Sequence, residues 1–132
     1  MSSYEPYLCP LIPDDQFTAS ANKFITQVRE TYGVQLASGL AGVTQLDHLI
    51  ADDGAKKNTL ALDGAGAFLG EALIHDACGH WIEHECKPVV GVSFLVCDPF
   101  KVVNDRLAGD EQPLAACVTF GKEIAMKWGC PR

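Results

Sequence analysis

Apolar residues recur at helical spacing in two long stretches of the chain, one near each end. The first, residues 15–32, follows a suitable N-cap at Asp14 and stops at Gly33, where a left-handed residue would close a helix. The second opens at Pro113 and stops at Gly129. The apolar positions of the first form one stripe: Phe17, Ala21, Phe24, Ile25, Val28 and Tyr32. Those of the second do the same: Leu114, Cys117, Val118, Gly121, Ile124, Ala125 and Trp128.

Weaker patterns predict three more helices between these two. One spans residues 44–50 after a short strand at 34–36, and Thr44 is its predicted N-cap because Thr44 and Asp47 have capping-box spacing. Another spans 60–78, and a third opens at Asp98 and closes at Gly109. The helix over 60–78 contains three glycines: Gly64, Gly66 and Gly70. Each glycine costs about 1 kcal/mol relative to alanine inside a helix. We therefore expect a neighbouring helix or strand to approach this helix closely enough to compensate.

Two adjacent segments have the composition of β-strands. Residues 80–86 follow a glycine stop, and residues 89–97 are β-branched and mostly apolar. Lys87 and Pro88 lie between them, so the pattern predicts an antiparallel hairpin. We expect its turn to be wider than two residues, because proline fits poorly in a tight hairpin turn.

The order of these elements indicates the fold class. It runs helix, short strand, helix, helix, strand, strand, helix, helix, which is typical of an α+β domain with a small antiparallel sheet packed by about five helices. A chain of 132 residues fits a single domain, residues 1–132. Residues 1–13 contain three prolines and are predicted to form an extended arm.

Charge and composition narrow the classes of partner. The net charge of −7 argues against nucleic acid and anionic membranes as partners and permits a basic protein. The first ten residues lack the basic and continuous apolar segments of a signal peptide. The longest apolar run is shorter than the ~20 residues that cross a bilayer. We therefore expect a cytoplasmic protein, with its six cysteines as thiols.

The segment HDACGHWIEHEC, residues 75–86, concentrates side chains that can bind zinc. On the predicted elements, His75 and Cys78 lie at a helix end and His80 lies just past the turn, a conceivable trio of ligands. His84 is roughly 13 Å from His80 along a strand, too far to share an ion with it. We favour the simpler interpretation of a helix end, a glycine stop and a strand, and we expect no cofactor.

Trp81, Glu83 and Glu85 share one face of the predicted strand. Such a face could recognise a cation or a basic partner, or it could belong to an ordinary half-exposed hairpin. The alternation of residues leaves open whether Trp81 faces the core or solvent. A separate expectation is a small-molecule pocket between the sheet and the glycine-rich helix, walled by Phe68, Trp81 and Phe94.

Cysteine reactivity is a further question that the sequence raises. Cys97 precedes a helix N-terminus, where the helix dipole can lower the pKa of a thiol. A cysteine at the end of an apolar strand is more often a core residue, and we favour that interpretation. We therefore assign no catalytic residue.

Three segments, residues 33–50, 66–84 and 98–111, together resemble small uncharacterised bacterial α+β proteins. The shared features are a helix with Leu-Gly-Glu, a Gly-Trp strand and an Asp-Pro-Phe helix start. Some of these proteins are immunity or accessory proteins that accompany bacterial toxins, so the resemblance implies protein binding and no catalytic residues. The cysteines and the histidines around Trp81 depart from the pattern.

These observations lead to three expected functions. The first is a non-enzymatic bacterial binding protein of the immunity or accessory type, whose acidic surface meets a basic partner protein. The second is a small-molecule binder or sensor that uses the pocket described above. The third is a metal protein or enzyme around residues 75–86. A homodimer is compatible with each of them.

Overall fold

The helices and strands assemble around the glycine-rich helix. A computed structural model of the chain describes residues 14–52, 62–85, 87–93, 95–109 and 112–128. The elements in chain order are α1 (Asp14–Tyr32), α2 (Gly39–Asp52), α3 (Leu62–Ala77), β1 (His80–His84), β2 (Lys87–Val92), β3 (Leu95–Cys97), α4 (Pro99–Leu107) and α5 (Leu114–Trp128). Helix α3 contacts the other four helices and strands β1 and β2. The predicted α+β class is confirmed. The predicted N-terminal arm lies outside the described residues.

The two helices with the clearest apolar stripes, α1 and α5, form as predicted. Phe24 and Val28 of α1 are almost fully buried, and so are Leu114 and Val118 of α5. Gly33 adopts a φ of +72° and donates its N–H to the Arg29 carbonyl, which ends α1 as its position in the sequence indicated. None of the described helices is long and apolar enough to cross a lipid bilayer.

Helix α2 begins five residues earlier than predicted, and no strand forms at 34–36. The backbone there is held by a side chain instead of a strand partner: Gln45 accepts from the Ala37 N–H at 2.8 Å and donates to the Gln35 carbonyl at 3.2 Å. Thr44, the predicted N-cap, lies inside the helix and donates its hydroxyl to the Leu40 carbonyl at 2.9 Å. A capping residue from elsewhere in the chain replaces it, as described below.

The sheet is a three-stranded antiparallel meander in the order β1–β2–β3. The predicted strand over 89–97 is divided by a turn at Ser93, whose φ is +54°. His84 pairs with Lys87, so the first turn has two residues and the predicted wide turn is wrong. Pro88 lies within β2, where it pairs with Glu83. Because β3 reaches only Val90–Val92, Pro88 sits where β2 has one strand neighbour, which a residue without an N–H tolerates.

Helix α3 ends in an unexpected way. The residue with the left-handed conformation is Cys78, with a φ of +57°, and the following Gly79 donates its N–H to the Leu73 carbonyl at 3.1 Å. Glycine was expected to supply the left-handed turn. At Gly79 it serves close packing instead, since a Cβ there would lie 2.6 Å from a methyl carbon of Val90.

The three glycines of α3 each face an aromatic ring from a different element. A Cβ would lie 2.9 Å from Phe24 of α1 at Gly64, 2.3 Å from Phe100 of α4 at Gly66, and 2.3 Å from Trp81 of β1 at Gly70. Real Cβ atoms essentially never approach this closely. The predicted close approach is therefore present, and the packing of these rings offsets the low helix propensity of glycine.

A buried carboxylate joins α2 to α5. Asp47 is 8% exposed, and its two oxygens accept from the backbone N–H groups of Leu114 and Ala115 at 2.7 and 2.8 Å. These N–H groups belong to the first turn of α5 and have no acceptor within their own helix. The Arg106 guanidinium, 3.8 Å from Asp47, adds a positive charge beside the carboxylate. Asp47 thus caps α5 from another helix.

We predict that Gly70→Ala destabilises the protein by about 1–3 kcal/mol, because the added methyl group overpacks against Trp81. On helix propensity alone the change would stabilise the helix by up to about 1 kcal/mol. Urea denaturation of the variant gives the free energy of unfolding. In a Trp81→Phe background the smaller ring should leave room, so the same change should cost less. A stabilised Gly70→Ala, or an equal cost in both backgrounds, would contradict the close approach.

Candidate functional site

Trp81 faces the core, which answers the question that its strand position left open. Its side chain is 8% exposed, and its ring stacks on Phe17 with centroids 4.0 Å apart and planes 20° apart. Phe100 lies at 6.0 Å from the same ring. The indole N–H donates to the Glu71 carboxylate at 2.9 Å. Trp81 is therefore an anchor of the core and is not displayed for a partner.

Glu71 is the acceptor that makes this burial of the indole possible. One carboxylate oxygen accepts from Trp81 in β1, and the other accepts from the Thr18 hydroxyl in α1 at 2.8 Å. A buried indole N–H without an acceptor would cost about 1–3 kcal/mol. Glu71 is the glutamate of the Leu-Gly-Glu segment in α3. Its two hydrogen bonds connect α3 to β1 and to α1.

The two glutamates that follow Trp81 are separated by their surroundings. Glu83 is partly buried, and its Oε1 is enclosed without a hydrogen-bond partner among the described residues. Glu85 is exposed in the β1–β2 turn with a φ of +54°. The proposed binding face of Trp81, Glu83 and Glu85 therefore has one core residue, one half-buried residue and one exposed residue.

The candidate zinc ligands are not assembled around a common point. His75 is exposed and bonds to its neighbour Asp76, with 3.0 Å between Nδ1 and Oδ1. Cys78 is disulfide-bonded, so its sulfur is committed and the expectation of six thiols is wrong at this position. His80 is exposed in β1, where it pairs with Gly91 of β2. Across the described ranges, no group of three histidine, cysteine or acidic side chains could hold a metal ion.

Asp76 caps helix α2 in place of Thr44. Its carboxylate accepts from the backbone N–H of Leu40, in the first turn of α2. Partial burial by itself would raise the pKa of Asp76. The hydrogen bonds from Leu40 and His75, with the positive charges of His75 and Lys122, outweigh it and hold that pKa below its ordinary value of 3.8. The carboxylate is thus stabilised in its charged form.

A cavity of about 420 Å³ opens where α1, α3, α4 and β2 meet. Phe17 and Phe100 line it, with Lys87 and Asp63 among its polar residues. Residues of β2 and of the glycine-rich helix both line it, but its aromatic walls differ from those predicted. Phe68 lines a second cavity of about 270 Å³. Trp81 lines neither of these two, and Phe94 lies outside the described residues.

Two cysteines from distant parts of the sequence meet between the sheet and α5. The sulfur atoms of Cys97 and Cys117 are 3.2 Å apart, both residues are partly buried, and both are free thiols. Either thiol can donate in this hydrogen bond, which lowers the pKa of Cys117 and raises that of Cys97. Burial and the neighbouring charges of Cys117 and Asp98 raise the pKa of Cys97 further.

Helix α5 presents an apolar stripe to solvent beside its buried face. Phe120, Ile124 and Trp128 are spaced at i, i+4 and i+8, so they fall within 80° around the helix at 100° per residue. The exposed fractions of Phe120 and Trp128 are 56% and 58%, and Ile124 is half-buried between them. Lys127 lies over the Trp128 ring, 5.7 Å from its centroid. We refer to these three apolar residues as the α5 stripe.

The sequence identified some of these features and missed others. Two members of the α5 stripe, Ile124 and Trp128, were predicted to belong to the core-facing side of α5. Phe120 was not among the predicted apolar positions. The cysteine pair could not be found from spacing, because it depends on how α5 packs on β3. Asp76 also gave no signal, since the Leu40 N–H that it caps lies 36 residues earlier in the sequence.

Comparison with known proteins gives no assignment: no family model, no curated protein and no solved structure matches this chain.

We predict that Asp76→Ala lowers stability at neutral pH and that the loss shrinks in acid. Because the folded-state pKa of Asp76 lies below its ordinary value of 3.8, its contribution is fully present above that value and is lost as the pH falls through the folded-state pKa. Urea denaturation of both proteins between pH 7 and pH 2.5 measures this gap. Glu30→Ala, an exposed site on α1, is the control. A gap that does not change with pH would show that the charged carboxylate is not the cap.

Proposed function

We propose that this chain acts by binding another protein, which docks on the α5 stripe. The exposure of Phe120 and Trp128 is the observation that carries this proposal. Aromatic residues dominate the binding energy of protein interfaces. An isolated exposed apolar residue needs no explanation, whereas a stripe at helical spacing has the form used for packing against another helix or sheet.

The charges around the stripe limit the partner. Lys127 borders it, so the partner needs an apolar face with an acidic group opposite this lysine. The whole chain carries a net charge of −7, which favours a partner that is basic elsewhere on its surface. The resemblance to immunity and accessory proteins is consistent with such a partner. The acidic surface expected at Glu83 and Glu85 plays no part in this proposal.

We predict that Phe120→Ser combined with Trp128→Ser weakens partner binding at least about tenfold, because each ring is expected to act as a hot spot. The partner is first recovered with the wild-type chain from cells of the source organism and then purified. Isothermal titration calorimetry gives the dissociation constant for each variant. Met126→Ser is the matched control, since Met126 is 83% exposed on the same helix but lies on the opposite side of that helix from the stripe.

One outcome would identify the partner as a second copy of the chain, and another would reject the α5 stripe as the docking site. If the partner is a second copy, light scattering gives twice the mass of one chain, and the double serine variant returns to a single chain. If the double variant and Met126→Ser bind a purified partner as tightly as the wild type, docking on the α5 stripe is ruled out.

A second candidate function is small-molecule binding in the 420 Å³ cavity. Its size falls within the ~300–1,000 Å³ range of ligand sites, and Phe17 and Phe100 give it an aromatic lining. Lys87 offers a positive charge, and Asp63 and Asp98 offer negative charges. These features fit a small aromatic molecule that carries a charged group.

We predict that aromatic probes shift the backbone NMR signals of Lys87 and Phe100, with benzoate, benzylamine and phenylalanine as the titrants. Ser20→Phe should abolish the shifts, because Ser20 lines the cavity and a larger ring there would fill it. If none of the three titrants shifts these signals, or if the shifts persist in the filled variant, the cavity is not the binding site.

A further inference from the structure

We propose that Cys97 and Cys117 form an oxidative modification site, at which a low-molecular-weight disulfide such as oxidised glutathione converts the two thiols into an internal disulfide. Their sulfur atoms are 3.2 Å apart, and a disulfide bond is about 2.0 Å long. The two atoms therefore need to approach by only about 1.2 Å, which side-chain rotation supplies. This site does not depend on what binds to α5 or to the cavity.

The surroundings of the two thiols favour a reaction in two steps. Cys117 is the better nucleophile, because the hydrogen bond from Cys97 stabilises its thiolate. Its sulfur attacks one sulfur of the oxidant, the oxidant's S–S bond breaks, and one thiolate leaves. Cys97 then gives up its proton and attacks Cys117 in the mixed disulfide, which releases the second thiolate. Two electrons pass from the cysteine pair to the oxidant, and the two protons end on the two thiols released.

The position of the pair gives the disulfide a structural effect. Cys97 is the last residue of the edge strand β3, which pairs with β2 through only three residues, and Cys117 lies in the first turns of α5. The bond would close a ring of residues 97–117 that contains all of α4. It would therefore tie the weakly paired edge of the sheet to α5.

The disulfide at Cys78 adds a second observation. Cys78 is already disulfide-bonded in the folded structure, so folding is compatible with an oxidising compartment. In such a compartment the pair at Cys97 and Cys117 would meet the oxidant that the reaction needs.

Peptide mapping of the wild-type protein tests the proposal. The chain is first reduced and then equilibrated with excess oxidised glutathione. The remaining thiols are alkylated, and the product is digested with chymotrypsin in the absence of any reducing agent. Cleavage after Leu95, Phe100, Leu114 and Phe120 places the two cysteines in separate peptides, residues 96–100 and 115–120. We expect these peptides to be linked through a disulfide.

A stability measurement accompanies the map. We expect the oxidised wild type to melt about 10 °C above the Cys97→Ala/Cys117→Ala double variant in the same buffer, and this difference to disappear after reduction. Both proteins contain Cys78, so its disulfide contributes equally to each. The proposal is overturned if Cys97 and Cys117 are recovered alkylated, joined to glutathione or joined to other cysteines, or if the oxidised proteins melt together.

Discussion

The fold depends on how closely other elements can approach helix α3. Its glycines leave space that Phe24, Phe100 and Trp81 fill, each from a different element. A side chain at any of these glycines would push one element away from the centre of the domain. The low helix propensity of this segment is therefore a cost of packing α1, α4 and the sheet against one central helix.

The sequence predicted those elements whose signals are local. The stripes of α1 and α5, the stop at Gly33 and the Asp98 cap of α4, which accepts from the Lys101 N–H, all arise from residues within the element itself. The start of α2 and the left-handed residue at Cys78 were missed because contacts from other elements determine them. Asp76 caps α2, and Val90 excludes a side chain at Gly79.

The same distinction applies to the candidate sites. The histidine-rich segment looked like the most reactive part of the chain because its residues are adjacent in sequence, yet the fold separates His75, Cys78 and His80. The two free thiols that the fold brings together, Cys97 and Cys117, are separated by 20 residues in sequence.

The Asp47 cap has a consequence for how the chain reaches its native state. The first N–H groups of α5 find their acceptor 67 residues away, so α5 stays without this cap until α2 has docked. Contacts of this sequence separation raise the contact order and slow folding. The second half of the chain therefore cannot finish folding ahead of the first, and a nascent chain has to wait for α5 to emerge before α2 gains its partner.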